Sequence, residues 1–377
     1  MLVIKKRLKA TIKTAAKKRL EIKKERQSGK MAAKKAYRRR CVRVLSAVIA
    51  VCSLLLSFCF ISVSAEEKAD IAEKRLCVGG FAFGVRFGTA GVLVADTPCV
   101  ISDGKKLCPA LDAGIKVKDI ITKVNGTEVN TAKSVSTLIE KCDGGADITV
   151  KRGENEITVK VIPVKEDVTG VYRAGLKLKD SMAGIGTVTY VDPQTGEFGG
   201  LGHGINDPET GVLMPLRSGS SMKVEIGGVI KGKSGKPGEI KGYFLSERTG
   251  NVKSNTVCGV FGYFSDLPKL GEAVPVGTRD EIKEGKATVY STLGDDGVKA
   301  YEIEISKIDR KGTDNKNFVI TVKDPALIQR SGGIVQGMSG SPIVQDGKLV
   351  GAVTHVLISD PTRGYGVFIE NMLNAGK

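Results

Sequence analysis

The chain has no tryptophan, only 5% aromatic residues, and two histidines, His203 and His355, in 377 residues. It also lacks any Cys-x-x-Cys pair, so a zinc site of the usual Cys/His spacing is excluded and no metal or other cofactor is expected. An imidazole base, if the chemistry needs one, has two places to come from. Acidic residues are nearly missing from residues 1–43, where 18 Lys/Arg face only Glu21 and Glu25. The rest carries 40 basic and 39 acidic residues, so the net charge of +17 belongs to the tail. That near-neutral remainder gives no reason to expect a nucleic-acid-binding surface. A basic tail can bind nucleic acid, but its position here points to a membrane.

Charge is absent from Val44 to Ala65, a 22-residue apolar stretch, long enough to cross a bilayer as a helix. Basic residues precede it and Glu66 and Glu67 follow it, which fits the positive-inside rule. Residues 1–43 are therefore expected to form a cytoplasmic tail, 44–65 a transmembrane or signal-anchor helix, and 66–377 to be exported. Val63-Ser64-Ala65 reads as a small-residue cleavage site, which leaves a cleaved signal peptide as the alternative. Met31 onward is itself a complete basic-then-apolar signal, so Met31 competes with Met1 as the start. Of the eight cysteines, Cys77, Cys99, Cys108 and Cys142 lie in the first exported region and Cys258 stands alone. Export permits disulfides, but the spacing does not fix their pairing.

With 47 glycines and many short alternating segments, the exported part is expected to be mainly β. After a charged linker at 66–76, residues 77–165 form one unit. It contains a glycine-rich opening from Gly79 to Gly84, a helix-like stretch Val135–Lys141, and two closing strands, Asp147–Lys151 and Glu156–Ile162. Its segment Ala113–Val129, AGIKVKDIITKVNGTEV, resembles the signature of bacterial PDZ domains, with Lys118 where that family usually has glycine. The resemblance implies binding of an extended peptide or a C-terminus. It also implies that Gly80, Phe81, Ala82 and Phe83 form the carboxylate-binding loop.

Residues 170–377 alternate apolar and polar side chains at Met222–Ile226, Tyr301–Ser306 and Phe318–Val322, a pattern of half-buried strands. Their strongest motif is Gly337-Met338-Ser339-Gly340-Ser341-Pro342. Glycines on either side of a serine permit a tight turn that exposes the hydroxyl and aims backbone N–H groups at a developing oxyanion. The motif resembles the nucleophile signature of chymotrypsin-like serine proteases. That resemblance implies a double β-barrel, Ser339 as nucleophile, and an oxyanion hole from the N–H groups of Gly337 and Ser339. His203, in the glycine-dense loop 199–207, is the expected base, with His355 beside the specificity pocket. For the third member, nearness favours Asp207 and the strand-end position favours Asp324.

The order PDZ then peptidase, with the segments GLGHGINDPETG and GGIVQGMSGSPIVQDGKLVGAVTH, resembles the SpoIVB peptidase family. That family places the acid before the nucleophile segment, which implies the set His203, Asp324 and Ser339. It further implies an exported, membrane-associated serine endopeptidase acting in the space between forespore and mother cell. Such an enzyme cleaves itself and a membrane-bound regulator of an intramembrane metalloprotease in sporulation. Two alternatives stand beside it: an inactive PDZ scaffold at the membrane, and an HtrA-like quality-control protease. The latter family places its PDZ domain after the protease.

Overall fold

From Arg75 onward, segments with alternating apolar side chains recur, and the fold is mainly β. The structure is a computed structural model describing residues 71–377 except Ala72 and Asp143. The expected tail at 1–43 and apolar span at 44–65 lie outside the described residues, as does most of the linker at 66–76. Among the described residues, no helix is long and apolar enough to cross a membrane.

Strand β1 (Arg75–Val78) leads into the long strand β2 (Ala82–Asp96). Then come β3 (Ile120–Val124), helix α1 (Ala132–Glu140), β4 (Ala146–Arg152) and β5 (Asn155–Val161). The latter half of β2 pairs with β3, β3 with β4, and β4 with β5, all antiparallel. Thr131 caps α1 reciprocally with Ser134, which satisfies two N–H groups at its start. The helix buries Val135 and Ile139 against Val92, Val94, Ile121, Ile148 and Val150. This is the core of the unit that resembles a PDZ domain. A disulfide between Cys99 and Cys108 closes the loop after β2, while Cys77, Cys142 and Cys258 are free thiols.

The next strands are β6 (Lys177–Val191), β7 (Glu197–Gly200), β8 (Leu216–Ile230), β9 (Glu239–Thr256) and β10 (Gly259–Phe264). Their pairings run β6–β7–β10–β9–β8, and both β8 and β6 also pair with β2. The circuit therefore closes on itself as a first barrel around Phe83, Val85, Phe87, Val188, Phe198 and Val260. Strands β11 (Gly285–Thr292), β12 (Val298–Ser306) and β13 (Phe318–Val322) begin a second one. After helix α2 (Pro325–Ser331) it continues with β14 (Pro342–Gln345), β15 (Lys348–Leu357) and β16 (Asp360–Phe368). These six strands form a closed barrel, and helix α3 (Ile369–Gly376) ends the chain. The alternation predicts its faces well: Tyr301, Ile303 and Ile305 are buried while Glu302 and Glu304 are exposed.

One strand is shared between units. At the start of the unit expected at 77–165, β1 pairs with β6, and the first half of β2 pairs with β6 and β8. Phe83 and Phe87 are buried there, and Phe83 stacks edge-on against Phe198 at 5.6 Å between ring centres. Strand β2 thus serves both units, with the barrel on its N-terminal half and the sheet of β3, β4 and β5 on its C-terminal half.

Candidate active site

Ser339 lies on the turn between α2 and β14 of the second barrel, and His203 follows β7 of the first. Both line a cleft of about 420 Å³, together with Leu201, Gln336, Gly337, Thr354 and His355. Apolar side chains dominate its far wall: Ile185, Pro237, Ile334, Val335, Val356 and Ile358.

The turn needs its glycines. Gly337 and Gly340 have φ of 100° and 91°, a region that side chains with Cβ rarely adopt. A Cβ on Gly340 would also lie 2.1 Å from the Thr187 carbonyl oxygen. Met338 is fully buried and anchors the turn in the barrel core. Strand β6 of the other barrel clamps it: Thr187 N–H donates to the Ser339 carbonyl at 2.9 Å, and Thr187 Oγ1 donates to the Gly337 carbonyl at 2.9 Å. Thr189 Oγ1 donates to the Gly340 carbonyl at 2.7 Å. With these carbonyls held, the N–H groups of Gly337 and Ser339 donate to no other group among the described residues. They are free to receive a developing oxyanion.

The His203 ring is oriented by its own loop. Its Nδ1 lies 2.8 Å from the Gly204 carbonyl oxygen. A carbonyl only accepts, so Nδ1 carries the hydrogen and Nε2 keeps its lone pair. The loop is pinned by Asn255, which accepts from Ile205 N–H and donates to the carbonyls of Ile205 and Met214. Burial lowers the pKa of His203, and the bond to Gly204 opposes that only in part. The ring is therefore neutral at pH 7, as a general base must be. His355 lies 5.1 Å from it, centre to centre. Burial, with the nearby His203 and Lys316, pushes the His355 pKa down to about 4, and its Nδ1 is buried without a partner. The Ser339 hydroxyl donates to the Thr354 carbonyl at 2.9 Å, so it must rotate away from that oxygen to reach a base.

Asp324, the expected acid, is engaged at a helix start. Its carboxylate caps helix α2, accepting from Ala326 N–H at 2.9 Å and Leu327 N–H at 3.1 Å through one oxygen. The other oxygen accepts from Glu302 N–H at 3.3 Å. Among the described residues, no carboxylate makes an ion pair or hydrogen bond with either histidine. Asp207 is no substitute: it is buried in its turn, bound to Lys179 at 2.6 Å and to Thr210. The expected carboxylate-binding loop, Gly80, Phe81, Ala82 and Phe83, runs beside β6. Gly79 and Gly80 donate their N–H groups to the carbonyls of Thr189 and Val188, and Ala82 and Phe83 pair with Thr187 and Gly186 of β6. The Phe81 carbonyl accepts from Val188 N–H, so this segment is paired along β6. The sequence reading missed Thr187, Thr189, Gly204, Asn255 and Thr354. All act through tertiary contacts or main-chain carbonyls, which carry no local motif.

Comparison with known proteins adds the following. The family model described as SpoIVB peptidase S55 matches residues 170–373, and a PDZ domain model matches residues 74–162. A serine protease HTRA1A of Danio rerio is 36% identical over 59 residues, which is 16% of this chain and 12% of that protein. Among solved structures, the PDZ domain of an SdrC-like protein from Listeria monocytogenes is 22% identical; the match covers 24% of this chain and 87% of that one, at a TM-score of 0.20. The Rv3671c protease of M. tuberculosis in its active form is 14% identical, covering 52% of this chain and 73% of that one, at a TM-score of 0.30.

Proposed function

The chain belongs to the SpoIVB peptidase S55 family, a serine endopeptidase carrying a PDZ domain, and we propose that Ser339 and His203 perform its acyl transfer. The observation that carries this is the pairing, in one cleft, of a glycine-flanked serine with two uncommitted N–H groups and an imidazole whose Nε2 is unprotonated. Ser339 Oγ leaves the Thr354 carbonyl and attacks the scissile carbonyl carbon while His203 Nε2 takes its proton. The negative charge that develops on the substrate oxygen is met by the N–H groups of Gly337 and Ser339. Donors of this kind are worth about 3–4 kcal/mol each. The imidazolium then protonates the leaving amine. Water repeats the sequence on the acyl-enzyme, which frees Ser339.

The proposed substrates are the chain itself and a membrane-bound regulator of an intramembrane metalloprotease, in sporulation signalling outside the cytoplasm. Family membership and the apolar run at 44–65 support that setting. A fluorophosphonate should label Ser339 and nothing else. Ser339→Ala should abolish labelling, and His203→Ala should slow it by orders of magnitude. Equal labelling of parent and Ser339→Ala would sink the assignment. A reporter fused after Lys377 that is active in the cytoplasm would sink the exported topology.

A further inference from the structure

A PDZ domain recognises an extended peptide by adding it as a strand beside its sheet. In this chain that place is taken. Residues 174–180 read Ala-Gly-Leu-Lys-Leu-Lys-Asp, with leucines two apart on one face and lysines on the other. The segment runs antiparallel to β2, with Leu178 opposite Val94 and Lys179 opposite Leu93. The opposite edge of β2 already pairs with β3, through Val92–Ile121 and Leu93–Ile120. Leu176 and Leu178 pack onto the core that holds Val135 and Ile139 of helix α1. Asp180 Oδ2 accepts the N–H of Ala132, the first residue of α1, at 2.8 Å. The strand edge, an apolar surface under the helix, and the helix N-terminus are all engaged by one stretch of the same chain.

The register shows how this stretch could leave without unfolding the barrel. Pairing of β6 with β2 breaks between Lys179 and Ser181, because β2 bulges and the next partner is Gly88. Residues 177–179 are thus a separate section of ladder. Beyond the break β6 continues to Thr187, which holds the carbonyls of Ser339 and Gly337. One strand links the groove to the nucleophile turn.

We propose that residues 174–180 are the resident ligand of the PDZ groove, and that the external ligand is an extended protein segment with two apolar side chains two residues apart followed by a carboxylate. Such a segment replaces the resident one by strand exchange, and its arrival is transmitted along β6 to Ser339. The transmission rests on the peptidase reading above; the exchange does not. A resident ligand lowers the apparent affinity for any external one by the fraction of molecules with the groove open.

The test uses the full chain, a fluorescent peptide copying residues 174–182, and a control peptide with serine at both leucine positions. The copy should bind Leu178→Ser at least about tenfold more tightly than it binds the parent, and the control should bind neither. Asp180→Asn keeps the apolar contacts and should give about a threefold gain, which decides the matter if Leu178→Ser does not fold. Bound peptide should also raise the rate at which a fluorophosphonate labels Ser339. Equal binding to parent and variants, or no binding to any folded variant, overturns the resident-ligand proposal. Binding with an unchanged labelling rate overturns the link to Ser339. If the parent is not labelled at all, the peptidase reading fails and the binding result still decides the exchange.

Discussion

Replacing Thr187 by valine tests whether the first barrel positions the nucleophile turn of the second. The side chain is 1% exposed, and its hydroxyl donates to the Gly337 carbonyl at 2.9 Å. Valine keeps the shape and the Thr187 N–H bond to the Ser339 carbonyl, but it removes that one donor. A buried acceptor left unpaired costs about 1–3 kcal/mol of stability. The catalytic cost arises separately, because the Gly337 peptide has lost its fixed orientation. An oxyanion donor removed outright costs about 3–4 kcal/mol. A donor that is present but loosened should cost less, about 1.4–2.8 kcal/mol, or roughly ten- to hundredfold in kcat. KM should hardly move, since the contact strengthens only in the transition state. Steady-state hydrolysis of a peptide amide, with a thermal melt for each variant, reads both effects. Thr187→Ser restores the donor and should restore kcat. A valine variant with parental kcat and a lowered Tm would show Thr187 to be structural only.

Three other outcomes follow. Activity should rise with pH as His203 loses its proton, and because burial lowers that pKa, the midpoint of kcat/KM should fall below the ordinary 6.5. A midpoint above 7 would contradict the buried, uncharged imidazole. His355, with its pKa near 4, is neutral throughout that range, so His355→Gln should leave the midpoint within about 0.3 unit; loss of the rise would make His355 the base. Asp324→Asn should lose less than about tenfold in kcat/KM, and Asp324→Ala should lose about 1 kcal/mol of stability as an N-cap; a loss near 10⁴ in turnover for the amide would restore the carboxylate as partner of the imidazole.

Much of this was legible because it is written locally. Alternation at Tyr301–Ile305 gives the strand and its buried face directly. Gly337 and Gly340 announce the turn because their backbone conformation requires glycine. The two-histidine limit leaves few choices of base. The double role of β2 was not legible: Phe83, Phe87, Val92 and Val94 form one apolar run, and nothing in it says which half packs on which core. The helix start at Asp324 has a local signal. Aspartate followed by proline at the first helical position is a helix start, and Ala326–Gln329 continues the helix. Asn255 sits in the long strand β9 with no motif, since its task is to hold a loop some 50 residues away.

The orienting group on His203 has a further consequence. A carboxylate at Nδ1 does two things: it fixes the tautomer, and it stabilises the imidazolium formed when Ser339 gives up its proton. The Gly204 carbonyl does the first fully, because it can only accept from Nδ1–H. It does the second weakly, since a neutral acceptor is worth about 1 kcal/mol against about 1.5–3 for a charged one. His203 therefore enters the reaction in the correct tautomer, in a buried site that favours its neutral form. The cost falls on the imidazolium and therefore on the transition state. The difference between the two acceptors, about 0.5–2 kcal/mol, is roughly a two- to thirtyfold slower acylation than a carboxylate would allow. Since Ser339 Oγ must also leave the Thr354 carbonyl, the resting geometry opposes attack at two points. A substrate whose main-chain N–H takes over that carbonyl would remove one of them, which couples hydroxyl release to substrate binding.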